Sequence, residues 1–168
     1  MEPDRLPCRV YRIDMSVVIV DQNERVGDFV AKGLRDVESV EDFGEFASIG
    51  IEKDGALIAG CVYNNMRTNG TVPFDMNIAF FAKNASWATR DNMETILDYP
   101  FEYLKLARIT ALVKKSNKKV KKLISGLGFQ YEGKARLAWD GVSDAYIYGM
   151  TRADANNCLK TLKDKRNV

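Results

Sequence analysis

Histidine is absent from all 168 residues, which removes Ser–His and Cys–His nucleophile pairs together with most zinc sites. Cysteine is scarce. Cys8, Cys61 and Cys158 are odd in number and far apart, which fits reduced thiols in a cytosolic protein rather than a disulfide frame or a metal site. Long apolar runs are missing too. The densest, Val17-Val18-Ile19-Val20, lies between Asp14 and Asp21 and is too short to span a bilayer, so it reads as a strand within 9–20 rather than a signal or anchor. Neither repeats nor low-complexity segments occur. The net charge is only +2. Setting aside Lys114, Lys115, Lys118, Lys119, Lys121 and Lys122 makes it negative, so the basic character is local and argues against a general nucleic-acid-binding surface. What is present, 46% hydrophobic residues, suffices for one good core. That points to one domain over 1–168, with 151–168 as a polar tail.

The stretch 108–129 is the most legible. Ile109, Ala111 and Val113 alternate with Thr110 and Leu112 as a mostly buried strand. The period then changes: Val120, Leu123, Ile124 and Leu127 line up one helical stripe, Ser116 or Asn117 supplies an N-cap oxygen, and Gly128 ends the helix. Lys118, Lys119, Lys121 and Lys122 crowd the first turns, where the helix dipole already disfavours cations. An anion bound at this helix start would resolve the conflict, and a solvated basic face is the alternative.

Elsewhere, Asp21 with Glu24 predicts a capping box for a helix ending near Leu34. Phe46 to Glu52 and Ala56 to Asn65 read as a hairpin across Asp54-Gly55, and Met66 to Pro73 as a loop. Asp75 to Ala82 has the apolar density of a central strand. A helix is expected over Asn92 to Leu106, bent at Pro100, with Met93, Ile96, Leu97 and Leu104 on its core stripe. Lys134 to Asp140 and Asp144 to Met150 form a second expected hairpin across Gly141, carrying Leu137, Trp139, Tyr146 and Tyr148. Asp154 to Asn167 reads as a polar, frayed helical tail.

Asn117, Leu123, Gly126-Leu127-Gly128-Phe129 and Tyr131-Glu132-Gly133, with Trp87 upstream and Asp144 four residues before Tyr148, resemble the final motifs of the GNAT superfamily of N-acetyltransferases. The resemblance is greatest to the RimJ and RimL branch and spans roughly Ile49 to Met150. It implies an α/β fold with a twisted mixed sheet of six to seven strands flanked by helices, and acetyl-coenzyme A-dependent acetylation of a primary amine, a protein N-terminus or lysine, by direct attack in a ternary complex. The strand ending at Phe81 and Ala82 would splay from its neighbour to receive the pantetheine arm. The loop Trp87-Ala88-Thr89-Arg90-Asp91-Asn92 would hold the pyrophosphate, and Asn117 would contact the cofactor or a bridging water. No metal is implied. A similar Trp-Ala-Thr-Arg variant with Tyr-Pro-Phe downstream occurs in small acetyltransferase-like proteins of tailed phages, which implies a host-cytoplasmic setting. In the family, the region after the first helix borders the acceptor pocket, so the acids between Asp36 and Glu45 would either attract a cationic amine or form a solvated face.

Several residues depart from the family pattern. Ala88, Arg90 and Asn92 stand where glycine or alanine is usual, and Arg90 would pair with phosphate directly in place of close backbone approach. A capping box of Asp91 with Glu94 would instead occupy those N–H groups. Asn77 stands at the position of the usual carboxylate base and cannot act as one. Asp75, two residues earlier on the same face, is the substitute, or else a structural turn carboxylate. Ile124 stands where many members carry a tyrosine acid, leaving Ser116 or Ser125 to assist. These losses motivate a second reading, a catalytically silent binding or inhibitory module, and the lysine cluster a third, a nucleic-acid-associated protein. The sequence supports either a monomer or a homodimer.

Overall fold

The computed structural model describes residues 16–164, so Cys8 and positions 9–15 of the range expected to hold the first strand lie outside the described residues. The chain runs β1 (Ser16–Val20), α1 (Asn23–Gly33), β2 (Phe46–Lys53), β3 (Ala56–Asn69), β4 (Val72–Ala82), α2 (Arg90–Asp98), β5 (Arg108–Lys114), α3 (Lys118–Gly126), β6 (Gln130–Ala135), β7 (Ala145–Thr151) and α4 (Arg152–Asp164). The seven strands form one mixed sheet in the order β1-β2-β3-β4-β5-β7-β6, so the expected architecture is present. Only β4 and β5 run parallel; the other neighbours are antiparallel.

Alternation along β4 divides the core. Ala79 and Phe81 face α1, where Val26 and Val30 are fully buried. Met76, Ile78 and Phe80 face α2, α3 and α4 across a larger cluster that includes Ile109, Tyr148 and Met150. Burying each such side chain contributes roughly 1.5–3 kcal/mol.

The hairpin across Asp54-Gly55 is present, both residues at positive φ of 51° and 79°. Helix α3 begins at Asn117, whose side chain accepts from the Val120 N–H at 3.1 Å. It ends in a Schellman motif: Gly128, at φ 95°, donates to Ser125 O, and Phe129 N donates to Ile124 O at 3.0 Å.

Four expectations are corrected. Asp21 sits at φ 62° and does not cap α1; Asn23 Oδ1 instead accepts from Ser48 N and Oγ, tying the helix start to β2. The segment 66–73 is not a loop, because β3 continues to Asn69 and returns at Val72 through a turn at Gly70 (φ 62°). The helix expected to Leu106 stops as α-helix at Asp98: Pro100 forces a wide π-type turn over Tyr99–Tyr103, closed by Leu104 N donating to Tyr99 O. The last hairpin is shifted. Pairing of β6 ends at Ala135, and Leu137, at φ 57°, and Trp139 lie in a compact turn where Asp140 Oδ1 accepts from the Val142 and Ser143 N–H groups. The helix expected in the polar tail is present as α4, and it docks through Ala155 and Leu159, which are 2% and 8% exposed.

Gly33 closes α1 onto the sheet. A Cβ built there would lie 2.1 Å from the Phe81 ring. Gly33→Ala is therefore expected to cost about 1–3 kcal/mol through overpacking. Gly126→Ala in α3 meets nothing within 4 Å and should stabilise by about 0.4–1 kcal/mol. Thermal unfolding of the two variants measures both signs.

Candidate active site

Strands β4 and β5 pair over only three positions, Asp75↔Arg108, Met76↔Ile109 and Asn77↔Thr110, although both strands continue beyond them. From Ile78 and Ala111 onward they part. A cavity of about 220 Å³ fills the gap. Its walls include Ile78, Phe80, Ala111 and Val113 from one face of the sheet and Ala79 and Leu112 from the other. The void thus passes through the sheet. The expected splay is present, and its cause is visible in the strand pairing: antiparallel β7 holds all of β5, while β4 stays with β3 as far as Ala82.

The beginnings of α2 and α3 flank this cavity. Trp87 is 6% exposed and packs on Phe80 with ring centroids 4.7 Å apart. Trp87 and Met93 line one wall, and Asn117, Val120 and Ile124 line another. Hydrogen bonds within the connecting loop leave a reduced backbone cradle. Ala88 N donates to Ala85 O, Thr89 N to Trp87 O, and Asn92 N to Thr89 Oγ1. The cap of α2 is therefore Thr89, not Asp91 with Glu94. Among the described residues, the N–H groups of Arg90 and Asp91 remain without an internal acceptor.

Arg90 sits at this same helix start. Its Nε and Nη1 are buried and have no hydrogen-bond partner among the described residues. Such orphaned charged donors are costly unless a ligand satisfies them. In the lysine cluster, Lys114 pairs with Asp140 at 3.1 Å and Lys115 with Asp144 at 3.7 Å. Lys121 donates to Lys115 O and lies over the Tyr146 ring. The exposed Lys118, Lys119 and Lys122 carry no ion pair among the described residues.

Of the residues singled out from sequence, Trp87 and Asn117 line the cavity. The Phe81 ring points to the opposite face, against Gly33 and Phe29, so Phe80 supplies the aromatic wall, and strand alternation identifies it. Ala82 packs at the core margin. Asn92 is 4% exposed and donates from Nδ2 to Trp87 O at 2.8 Å, which fixes the loop internally.

Asp75 is 5% exposed and lies below the point where the strands part. It accepts from Thr110 Oγ1 at 2.9 Å, from Arg67 Nε at 3.0 Å and lies 3.4 Å from Arg108 Nε. Arg108 in turn pairs with Glu132 at 2.7 Å, which holds the guanidinium above its usual pKa. Asn77 Oδ1 accepts from Arg67 Nη2 at 3.0 Å. No motif in the sequence announces Arg67, and the Tyr131-Glu132-Gly133 motif, to which Glu132 belongs, does not announce its pairing with Arg108.

Cys61, Asp36, Leu34 and Trp139 also line the cavity. Desolvation of the fully buried Cys61 thiol pushes its pKa up to about 12, so it is uncharged at neutral pH. Among the described residues there is no cluster suited to a metal ion, and no helix is long and apolar enough to cross a membrane.

A mixed seven-stranded sheet that opens between two parallel strands, with helix beginnings at the opening, is the architecture of the GNAT acyl-CoA N-acyltransferase fold. No family profile and no characterised protein matches the sequence itself. Solved structures do match the fold. A ribosomal-protein-S5-alanine acetyltransferase from Vibrio fischeri aligns with a TM-score of 0.62 at 14% identity, over 87% of this chain and 98% of that one. A point mutant of the spermidine N-acetyltransferase SpeG from Vibrio cholerae aligns with a TM-score of 0.67 at 15% identity, over 85% of this chain and 97% of that one. Mycobacterium smegmatis RimJ, solved in complex with CoA-disulfide, aligns with a TM-score of 0.56 at 20% identity, over 71% of this chain and 61% of its own.

Proposed function

We propose that the protein is an acetyl-coenzyme A-dependent N-acetyltransferase that acts on a primary amine, a protein N-terminus or lysine, by direct attack in a ternary complex. The observation that carries this reading is the through-sheet cavity between β4 and β5, supported by the unsatisfied guanidinium of Arg90 in the first turn of α2, the helix whose Met93 lines that cavity. The residues fit the cofactor. An apolar slot suits a pantetheine arm, and Arg90 with the free N–H groups at the start of α2 suits a diphosphate. Lys118 and Lys119 add positive potential at the neighbouring helix start. Bound there, acetyl-coenzyme A would supply the activated acetyl group.

Acetyl transfer forms a C–N bond to a neutral amine and breaks the C–S bond, and the amine proton finishes on the departing thiol. The buried, protonated Cys61 is no nucleophile, which favours direct attack over an acetyl-cysteine relay. Among the described residues, Asp36 is the one acidic residue in the cavity lining, and Trp139 is the large aromatic from the turn of 136–144. Together they suit an approaching cationic amine. The named activities of structures sharing the fold, acetylation of a ribosomal protein and of spermidine, lie in the same class. Reduced thiols at Cys61 and Cys158 agree with a cytoplasmic setting.

The silent-module reading draws on two observations: three loop N–H groups are used internally, and Ile124 is 8% exposed in the core with no acid in its place. Calorimetry with coenzyme A decides whether the cofactor site works. Saturable binding that weakens as salt rises is expected, because phosphate contacts are charge-assisted. Absence of heat at millimolar ligand overturns the reading.

A further inference from the structure

A bulge in β3 aims an arginine at the point where the sheet divides. The β3–β4 register is regular from Ala59↔Ala82 to Asn64↔Asn77 and slips between Asn64 and Arg67, where Asn65 takes φ 52°. Bulges of this kind redirect side chains. Here Arg67 comes opposite Asp75, and its guanidinium reaches two residues at once: Nε to Asp75 Oδ2 at 3.0 Å and Nη2 to Asn77 Oδ1 at 3.0 Å.

A guanidinium only donates. The contact therefore fixes which end of the Asn77 amide is oxygen and leaves Nδ2 as the end without a partner among the described residues. Asn77 is also the last β4 residue paired with β5. Ala79, two residues on and on the same face, lines the cavity with Leu112, and that step along a strand is roughly 6.8 Å. An oriented N–H donor thus stands at the vertex of the opening, on the face opposite Phe80 and Trp87.

We propose that Asn77 Nδ2 donates a hydrogen bond to the carbonyl oxygen of a bound acyl thioester, and that Arg67 is the positioning residue that holds the amide in this orientation. The inference rests on the acyl-coenzyme A reading above. It gives Asn77 a role that suits an amide: it stabilises charge developing on the carbonyl oxygen and takes up no proton. A preorganised donor of this kind accounts for about 10²–10³ in rate in sites where one has been removed.

The test compares acetyl-coenzyme A with coenzyme A by calorimetry on the wild-type protein, Asn77→Asp, Asn77→Ala and Arg67→Met. The wild-type should prefer acetyl-coenzyme A about fivefold, the worth of one net hydrogen bond. Asn77→Asp preserves size and the acceptor for Arg67 but removes the donor. In both Asn77 variants the preference should fall to within about twofold while the affinity for coenzyme A stays unchanged, and Arg67→Met should lose part of it. Bound acetyl-coenzyme A carrying a ¹³C carbonyl should show a thioester stretch lowered in the wild-type and restored in Asn77→Asp. A preference or a lowered stretch that persists in Asn77→Asp and Asn77→Ala overturns the proposal while leaving the cofactor reading standing. Failure of the wild-type to bind either ligand overturns both.

Discussion

Arg90→Glu is expected to weaken coenzyme A binding by about 100-fold without lowering thermal stability. Two charge-assisted hydrogen bonds to a phosphate contribute about 3 kcal/mol together, and a tenfold change in affinity corresponds to about 1.4 kcal/mol. Reversing the charge adds repulsion, which pushes the loss beyond that of a neutral replacement. The stability half of the expectation is the unusual one. Arg90 Nε and Nη1 are buried without partners, so the unliganded protein gains nothing from those atoms and bears their desolvation. Arg90→Met should therefore unfold at an equal or higher temperature than the wild-type while losing the ligand, whereas Arg90→Lys should keep part of the affinity through charge alone. Calorimetry and thermal melts on the same three variants separate the outcomes. A variant that loses stability and affinity in parallel would make Arg90 a structural residue.

How much of this was legible depended on whether the deciding contact is local. The cap, read as Ser116 or Asn117 and made by Asn117, the helix stop at Gly128 and the turn at Asp54-Gly55 are set by residues a few positions apart, and each is present. The start of α1 shows the limit of the same reasoning. Asp21 and Glu24 have the spacing of a capping box, but Asn23 is claimed by Ser48 of β2, 25 residues away, and the tertiary bonds decide. Likewise, nothing in 66–73 announces a strand; the segment is extended because each arm pairs with the other across Asn69↔Val72. In the last hairpin, alternation of Leu137 and Trp139 mimics a strand, yet Asp140 and Asp144 supply side-chain acceptors that favour a turn.

The site follows the same division. Trp87 and Asn117 were legible because each belongs to a motif beside a helix start. Phe80 was not, since choosing Phe81 or Phe80 requires knowing which face of β4 meets α1, and Gly33, nearly 50 residues earlier in the chain, settles that by leaving room for the Phe81 ring. Arg67 was invisible because a one-residue bulge, with no glycine to mark it, puts it opposite Asp75. Asp36 and Trp139 both come to line the cavity only through the fold.

Asp75→Asn is expected to destabilise the protein by about 1–3 kcal/mol, the cost of losing charge-assisted contacts at a buried acceptor while Arg67 and Arg108, 43% and 30% exposed, keep access to water. Against a total of about 5–15 kcal/mol, this lowers the unfolding temperature by roughly 5 °C in a chain of this size. The carboxylate, 5% exposed, answers Arg67, Arg108 and Thr110 together, so its oxygens are committed to donors that an amide cannot satisfy. Replacing both members of the inner pair, Asp75→Leu with Arg67→Met, should recover much of the loss, because Arg108 keeps Glu132 and apolar packing then takes the place of the ion pair. A general base predicts the reverse pattern. It would leave the unfolding temperature of Asp75→Asn near that of the wild-type, abolish acetyl transfer per folded molecule, and remove the low-pH limb of its rate profile. The network geometry favours the first pattern: a carboxylate that accepts from Arg67 and Thr110 and is ion-paired with Arg108 ties β4 to β5 just below the point where they part.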